Sequence, residues 1–384
     1  MNTTDLTPLS ERPNVEQYRK QAKELLAAAN SGDEAARIRL LRSHPHPSKL
    51  ESPYKLADAQ VVLARENGFV SWPKFTGFIG AVARADSQVS AFERAADAIV
   101  GGDAALLRSR LEADPSLIGA HSERAHRCML IHYIGSNGFE GYRQKAPTNS
   151  LEILNILLDA GAEVDAPADT YGRGTTLGLV ATSVHPVRSG VQIPLMDRLI
   201  EAGADVNGGS GWPIVPACLH NGRGVAARFL ADRGARLDLE SAAGVGYLDV
   251  VRGFIESGEP MDSKGAVFGF GWACEYGQVS VVEYLLSQGM PVGVTTAHGM
   301  TGLHWAAIGG QGEVARLLLS LDAPLDVLNT YGGTPFGQLV WSALHDDGTD
   351  FRPVYRAFAD AGAVPESLAV LETDLPKLRD RLGI

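Results

Sequence analysis

The chain has 384 residues, more than one compact core of ordinary size, so its length predicts several domains or a repeat array. A composition of 45% hydrophobic and 21% charged residues is that of a folded protein and excludes disorder over most of the chain. The formal net charge of −11 argues against nucleic acid and against anionic membranes as partners.

The cysteines and the amino terminus indicate a compartment. Cys128, Cys218 and Cys274 are far apart and form no CxxC pair, which is typical of thiols in a reducing environment. The start, MNTTDLTPLS, lacks the basic residues and apolar run of a signal peptide. The chain also lacks an apolar stretch of about 18 residues that would span a bilayer. These features predict a soluble, cytoplasmic protein.

Residues 1–84 are predicted to form a helical amino-terminal segment. Arg12 to Gly32 has helical spacing, with Leu25 and Leu26 on the apolar side, and a second helix is predicted from Asp33. The sequence leaves open whether this segment caps the rest of the chain or is an independent functional domain.

From about residue 88 a unit of two helices recurs. Its clearest copy is TGLHWAAIGGQGEVARLLLSLDA, in which Thr301 caps a short helix, Gly309 and Gly310 end it, and a second amphipathic helix follows. The same frame lies thirty-three residues earlier, from Ala273 to Ala306. Further second helices are LEILNILLDAGAEVD, LMDRLIEAGADVN, VAARFLADRGARLD and VSVVEYLLSQGMPV.

This unit resembles the ankyrin repeat, a β-turn plus two antiparallel helices with a T-P-L-H-x-A signature. Gly302 stands where that signature has proline. The resemblance covers residues 88–364 in about seven degenerate units. It implies an all-α fold, an ankyrin-repeat α-solenoid preceded by the small helical domain of residues 1–84. Residues 365–384 are predicted to form a helical cap or tail.

Two further features bear on the origin and use of the array. The segment from Lys55 to Phe75 is similar to one found ahead of ankyrin repeats in bacterial proteins, which suggests a bacterial source. Insertions interrupt three repeats, at 139–149, 184–193 and 343–352. Such insertions often lie on a binding face, but surface loops also lengthen by neutral drift, and the sequence leaves both readings open.

The sequence contains no common catalytic motif: it lacks GxxxxGK, GxSxG and HExxH. Its histidines are dispersed, so we predict no metal site and no cofactor. His132 and His304 stand at the histidine of the family signature, and the resemblance implies that each hydrogen-bonds within its turn.

The resemblance also implies which residues face a partner. In the family the first helices line a concave face, and the residue after the signature histidine points into it; here these residues are Tyr133, Leu179, Ala217, Ser241, Trp272, Trp305 and Gln338. One turn further on lie His220, Asn221, Glu275, Tyr276 and Trp341, and the turn segments carry Tyr171, Trp212 and Tyr331. We therefore predict an aromatic groove with Trp272 beside Trp305.

Two functions fit these residues. The first is a scaffold that binds a protein or peptide in the groove, because tryptophan and tyrosine dominate binding energy at interfaces. The alternative is an enzyme in which the insertions roof the groove and Glu275, His220, His132 and Tyr276 carry out acid–base chemistry on a small organic molecule. An open apolar strip would favour the scaffold, and a closed polar pocket the enzyme.

Overall fold

The computed structural model of the chain describes residues 13–135, 140–169, 173–208, 213–346, 348–363 and 375–383. Within these ranges every regular element is a helix, apart from an isolated antiparallel bridge between Thr295 and Thr301. The predicted all-α fold is therefore confirmed. The chain divides into two compact units, Met1–Ile214 and Val215–Ile384, which we call unit 1 and unit 2.

Unit 1 contains ten α-helices within its described ranges. They are α1 (Val15–Asn30), α2 (Glu34–Ser43), α3 (Leu56–Glu66), α4 (Trp72–Val82), α5 (Gln88–Gly101), α6 (Ala104–Ala113), α7 (Ser150–Asp159), α8 (Thr176–Thr182), α9 (Val184–Arg188) and α10 (Gln192–Glu201). Short 3₁₀ helices lie at Pro47–Lys49, Pro115–Gly119, Leu130–Ile134 and Gly141–Arg143.

Helices α1 to α4 form a small bundle at the start of unit 1. Asn14 caps α1 by accepting a hydrogen bond from the Glu16 amide at 2.9 Å. The buried side chains of α1 recur at helical spacing and face α2, α3 and α4. The bundle has two hydrophobic clusters, whose largest members are Leu25, Leu40, Val62 and Leu63 in one and Tyr18, Phe69, Phe75, Phe78 and Ile79 in the other.

The rest of unit 1 is built from helix pairs. The pairs are α5 with α6, the 3₁₀ helix Leu130–Ile134 with α7, and α8 with α10. The first members of successive pairs pack on one another, as do the second members. This is the layered arrangement of a helical repeat, in which each pair buries its apolar face only against its neighbours.

Unit 2 continues with eleven α-helices in its described ranges, the first of which begins at the last residue of unit 1. They are α11 (Ile214–His220), α12 (Gly224–Asp232), α13 (Leu239–Val245), α14 (Leu248–Glu256), α15 (Lys264–Glu275), α16 (Val279–Ser287), α17 (Gly302–Gly309), α18 (Gly312–Ser320), α19 (Pro335–His345), α20 (Arg352–Asp360) and α21 (Leu375–Leu382).

In unit 2 the first helices α13, α15, α17 and α19 pack in succession, and the second helices α14, α16, α18 and α20 do the same. One continuous hydrophobic core runs between these two layers from Leu239 to Leu382. Helix α21 packs against α19 and α20 at the end of the array. The predicted solenoid of helix pairs is confirmed by this layering.

Each of the two signature histidines links its own repeat to the one that follows. The Thr301 amide donates to His304 Nδ1 at 3.1 Å, and His304 Nε2 lies 3.0 Å from the Gly333 carbonyl oxygen in the following turn. His132 is held in the same way, 2.7 Å from the Ala166 carbonyl oxygen. Burial lowers the pKa of both imidazoles, so each is a neutral ring that donates its Nε2 proton forward along the chain.

Candidate functional site

Trp272 and Trp305 lie side by side on the first helices α15 and α17. Their ring centroids are 5.0 Å apart at an interplanar angle of 57°. Trp272 is buried and its indole donates to Glu240 at 2.8 Å, whereas Trp305 is half-buried and donates to Thr296 at 2.9 Å. Gly271 allows this approach, because a Cβ there would meet the Trp305 Nε1 at 3.1 Å. Both indoles are therefore fixed by hydrogen bonds.

His220 covers one side of Trp272. Its ring meets the indole edge to face at 4.8 Å, and its Nε2 lies 2.9 Å from the Glu240 Oε1. Burial raises the pKa of Glu240, but the hydrogen bonds from His220 and Trp272 outweigh it and the net pKa is lowered. Glu240 is therefore an ionised acceptor that holds two aromatic side chains in place, while 37% of the His220 side chain remains exposed.

Two more rings extend this patch. Phe268 lies 6.1 Å from His220, and Tyr276 lies 6.3 Å from Trp272, centroid to centroid. The Tyr276 hydroxyl donates to the Leu219 carbonyl oxygen at 2.7 Å, and burial raises the pKa of the phenol. The structure thus gathers five ring side chains in unit 2, which we call the aromatic surface: His220, Phe268, Trp272, Tyr276 and Trp305.

Glu275 is a buried carboxyl group at the end of α15. It is 9% exposed, and its Oε2 has no hydrogen-bond partner among the described residues. Burial raises its pKa to about 8, against a weaker opposing effect of Tyr276. Glu275 is therefore protonated at neutral pH. The carboxylate that pairs with His220 is Glu240, not Glu275.

Of the remaining predicted residues of unit 2, Asn221, Tyr331 and Trp341 lie on exposed surface, whereas Ala217 and Ser241 are buried and Gln338 is half-buried. The Asn221 side-chain amide donates to the Ala217 carbonyl oxygen of its own helix at 2.8 Å. Trp341 is 58% exposed, and its ring stacks on His345 at 4.4 Å with an interplanar angle of 17°. Trp341 is thus an accessible indole that is already ordered by one flat neighbour.

The predicted residues of unit 1 lie in its core or outside the described ranges. Tyr133 is 2% exposed and packs edge to face against Phe92 and His126. His132 is fully buried, with both ring nitrogens within hydrogen-bonding distance of the main chain. Tyr171 and Trp212 lie outside the described residues.

Unit 1 also contains a buried ionic cluster that the sequence pattern does not predict. It joins Arg124 and Arg143 to Glu93 and Glu140, with nitrogen–oxygen distances between 2.8 and 3.4 Å and at most 7% of each side chain exposed. His126 Nε2 lies 3.1 Å from Glu140. Burial raises the pKa of Glu140, but Arg124, His126 and Arg143 outweigh it and the pKa is lowered.

This cluster shows what the first insertion does. Glu140 and Arg143 belong to residues 139–149, which the sequence presents as a loop, and both side chains are buried. The only signal in the sequence is a density of charge, in FEGYRQK and in the SERAHR segment that contains Arg124. The spacing of these two segments in the sequence does not predict that they contact each other.

The part of the chain that the structure describes offers no group of three histidine, cysteine or acidic side chains arranged to hold a metal ion. None of its helices combines the length and the apolar character needed to cross a membrane. The cysteines form no disulfide among the described residues, and all three are buried.

Comparison with protein-family models matches residues 239–329 to ankyrin repeats, in three copies. Residues 239–329 are ankyrin repeats. The match runs from the start of α13 to the turn before α19 and contains four of the five residues of the aromatic surface, all but His220. Ankyrin repeats generally mediate protein–protein interactions. Among curated proteins, none matches the chain.

Proposed function

We propose that this chain is a binding scaffold that recognises a protein or peptide partner through the aromatic surface of unit 2. The observation that carries the proposal is the contact of Trp272 and Trp305 on successive ankyrin repeats. Their indole N–H groups are already satisfied within the chain, so a partner meets no unpaired donor and contacts the half-buried ring of Trp305, which packs on the buried Trp272. Such a surface suits apolar and aromatic side chains.

The accessible parts of this surface are the exposed side of His220 and the half-buried side chains of Phe268, Tyr276 and Trp305. Hydrogen bonds and ring contacts hold His220 and Trp305 in place, so a partner orders few side chains on binding. Trp341 supplies a further exposed indole on α19. Tryptophan and tyrosine are the residue types that most often carry binding energy in protein interfaces.

The experiment begins with peptides selected from a display library against the full chain. We expect Trp305→Ala to weaken their binding by about 2 kcal/mol or more, as for a residue at the centre of an interface. His220→Ala, at a more exposed position, tests the same surface with less risk to folding. Val225→Ala is the matched control, because Val225 is 73% exposed on the second helix α12 of the same unit.

Circular dichroism first confirms that each variant folds, so that the peptide affinities of the variants can be compared. Peptides that bind Trp305→Ala and His220→Ala as tightly as the unaltered chain would show that the aromatic surface is not the binding site.

We also propose a cytoplasmic location, which the three buried cysteines without a disulfide support.

A further inference from the structure

A second surface lies on unit 1, in a cleft of about 790 Å³ between the second helices α6 and α7. Its apolar floor is formed by Leu111, Leu151 and Ile156, with Pro115 at one side. Charged side chains line its edges.

The two walls of the cleft are held at a fixed spacing at one end. The Asn149 side-chain amide donates to the Gly102 carbonyl oxygen at 2.9 Å, just before α7 and α6 begin. Gly102 has a φ of 76°, and a Cβ there would lie 2.9 Å from the Cβ of Pro147. Arg108 and Glu152 then form an ion pair of 2.8 Å across the cleft. The cleft is therefore preformed by the end of the first insertion.

The other end of the cleft is acidic. Glu112 and Asp159 line it near the carboxyl ends of α6 and α7, both are exposed, and neither forms an ion pair within the described ranges. The carbonyl groups at a helix carboxyl end add negative potential. Arg108 is the one basic side chain of the lining, and Glu152 neutralises it. The cleft thus offers an apolar floor and unmatched negative charge.

We infer that this cleft docks an amphipathic α-helix of a partner protein that carries lysine or arginine beside its apolar face. A groove between two helices receives the apolar stripe of a third. Basic side chains of that helix pair with Glu112 and Asp159. An added β-strand does not fit, because α6 and α7 present no strand edge.

The test uses two synthetic helical peptides with one leucine pattern, one carrying lysine and the other glutamate at the polar positions. The lysine peptide is expected to bind the full chain and the glutamate peptide is not. The double variant E112K/D159K is expected to weaken the lysine peptide by about tenfold or more. The control E283K/E313K makes the same charge change on exposed residues of α16 and α18 and is expected to have no effect.

Hydrogen exchange locates the site, with protection expected in α6 and α7. If both double variants weaken binding of the lysine peptide equally, the effect comes from the net charge of the chain and the inference is overturned. Equal binding of both peptides, saturable binding of neither, or protection elsewhere would overturn it too. Trp305→Ala is expected to leave this binding unchanged, so the proposals for the cleft and for the aromatic surface are tested independently.

Discussion

The main chain of Glu275 fills the space beside Gly309. An ideal Cβ on Gly309 would lie 1.8 Å from the Glu275 carbonyl oxygen, which no side chain tolerates. The first helices α15 and α17 therefore approach each other at a point where only glycine fits. This approach also sets the spacing of the helices that carry Trp272 and Trp305.

Gly309→Ala is expected to destabilise the protein by about 1–3 kcal/mol or more, because α15 and α17 must separate to admit the methyl group. The matched control is Gly253→Ala in α14, where an added Cβ meets nothing within 4 Å. That control is expected to stabilise the chain by about 0.5–1 kcal/mol through helix propensity. Urea unfolding measures both, and a neutral Gly309→Ala would contradict the packing described here.

Glu140→Gln is expected to cost about 3–5 kcal/mol of stability, because it leaves the buried Arg124 and Arg143 with too little negative charge. Glu152→Gln removes the exposed partner of Arg108 and is expected to cost about 1 kcal/mol or less. Thermal unfolding of the two variants compares a buried with an exposed ion pair. Similar losses would mean that the cluster contributes no more than a surface contact.

Glu275 is expected to make stability fall as pH rises. Its folded pKa of about 8 lies above that of an unfolded glutamic acid, about 4.3. Between these values the unfolded chain releases a proton that the folded chain keeps, so the free energy of unfolding decreases with rising pH and levels off above pH 8. Glu275→Gln should remove this slope and stabilise the protein by a few kcal/mol at pH 8.

Denaturant unfolding across that pH range measures the effect. Glu313→Gln, an exposed residue of α18, is the control and should leave the slope unchanged. A slope that persists in Glu275→Gln would assign the pH dependence to another group.

The three cysteines are expected to resist thiol reagents in the folded protein. All are buried, and burial raises the pKa of Cys218 to about 12 and those of Cys128 and Cys274 further, so the reactive thiolate is scarce. Absorbance after addition of an aromatic disulfide reagent should stay low until denaturant is added. Rapid reaction of one thiol in the native protein would reveal local opening near it.

The repeat made much of unit 2 predictable. A recurrence of thirty-three residues places Trp272 and Trp305 at the same point of successive helices, and their rings are in contact. The signature of the clearest repeat also predicts His304, which links its own turn to the next. Such relationships follow from the sequence because each repeat contacts only its neighbours.

The insertions were not predictable in this way. Glu140 pairs with Arg124, which also pairs with Glu93, through contacts that no period describes, so residues 139–149 look like a loop although part of them is buried. Likewise, the cleft between α6 and α7 depends on the packing of Pro147 against Gly102 and on the hydrogen bond from Asn149 to Gly102. The burial of Tyr133 is a third case, because the ring is covered by Phe92 and His126 from neighbouring segments.

The hydrogen bonds from His132 and His304 to the following repeats make the carboxyl and amino sides of a repeat unequal. Each imidazole donates to a carbonyl oxygen of the repeat that follows it, so a repeat with such a histidine depends on its successor for the acceptor of a buried N–H group. Removing the repeat on the carboxyl side leaves the buried imidazole N–H group without an acceptor. Removing the repeat on the amino side leaves only a carbonyl oxygen without a donor, which is the milder loss. Truncation should therefore be less tolerated from the carboxyl end than from the amino end.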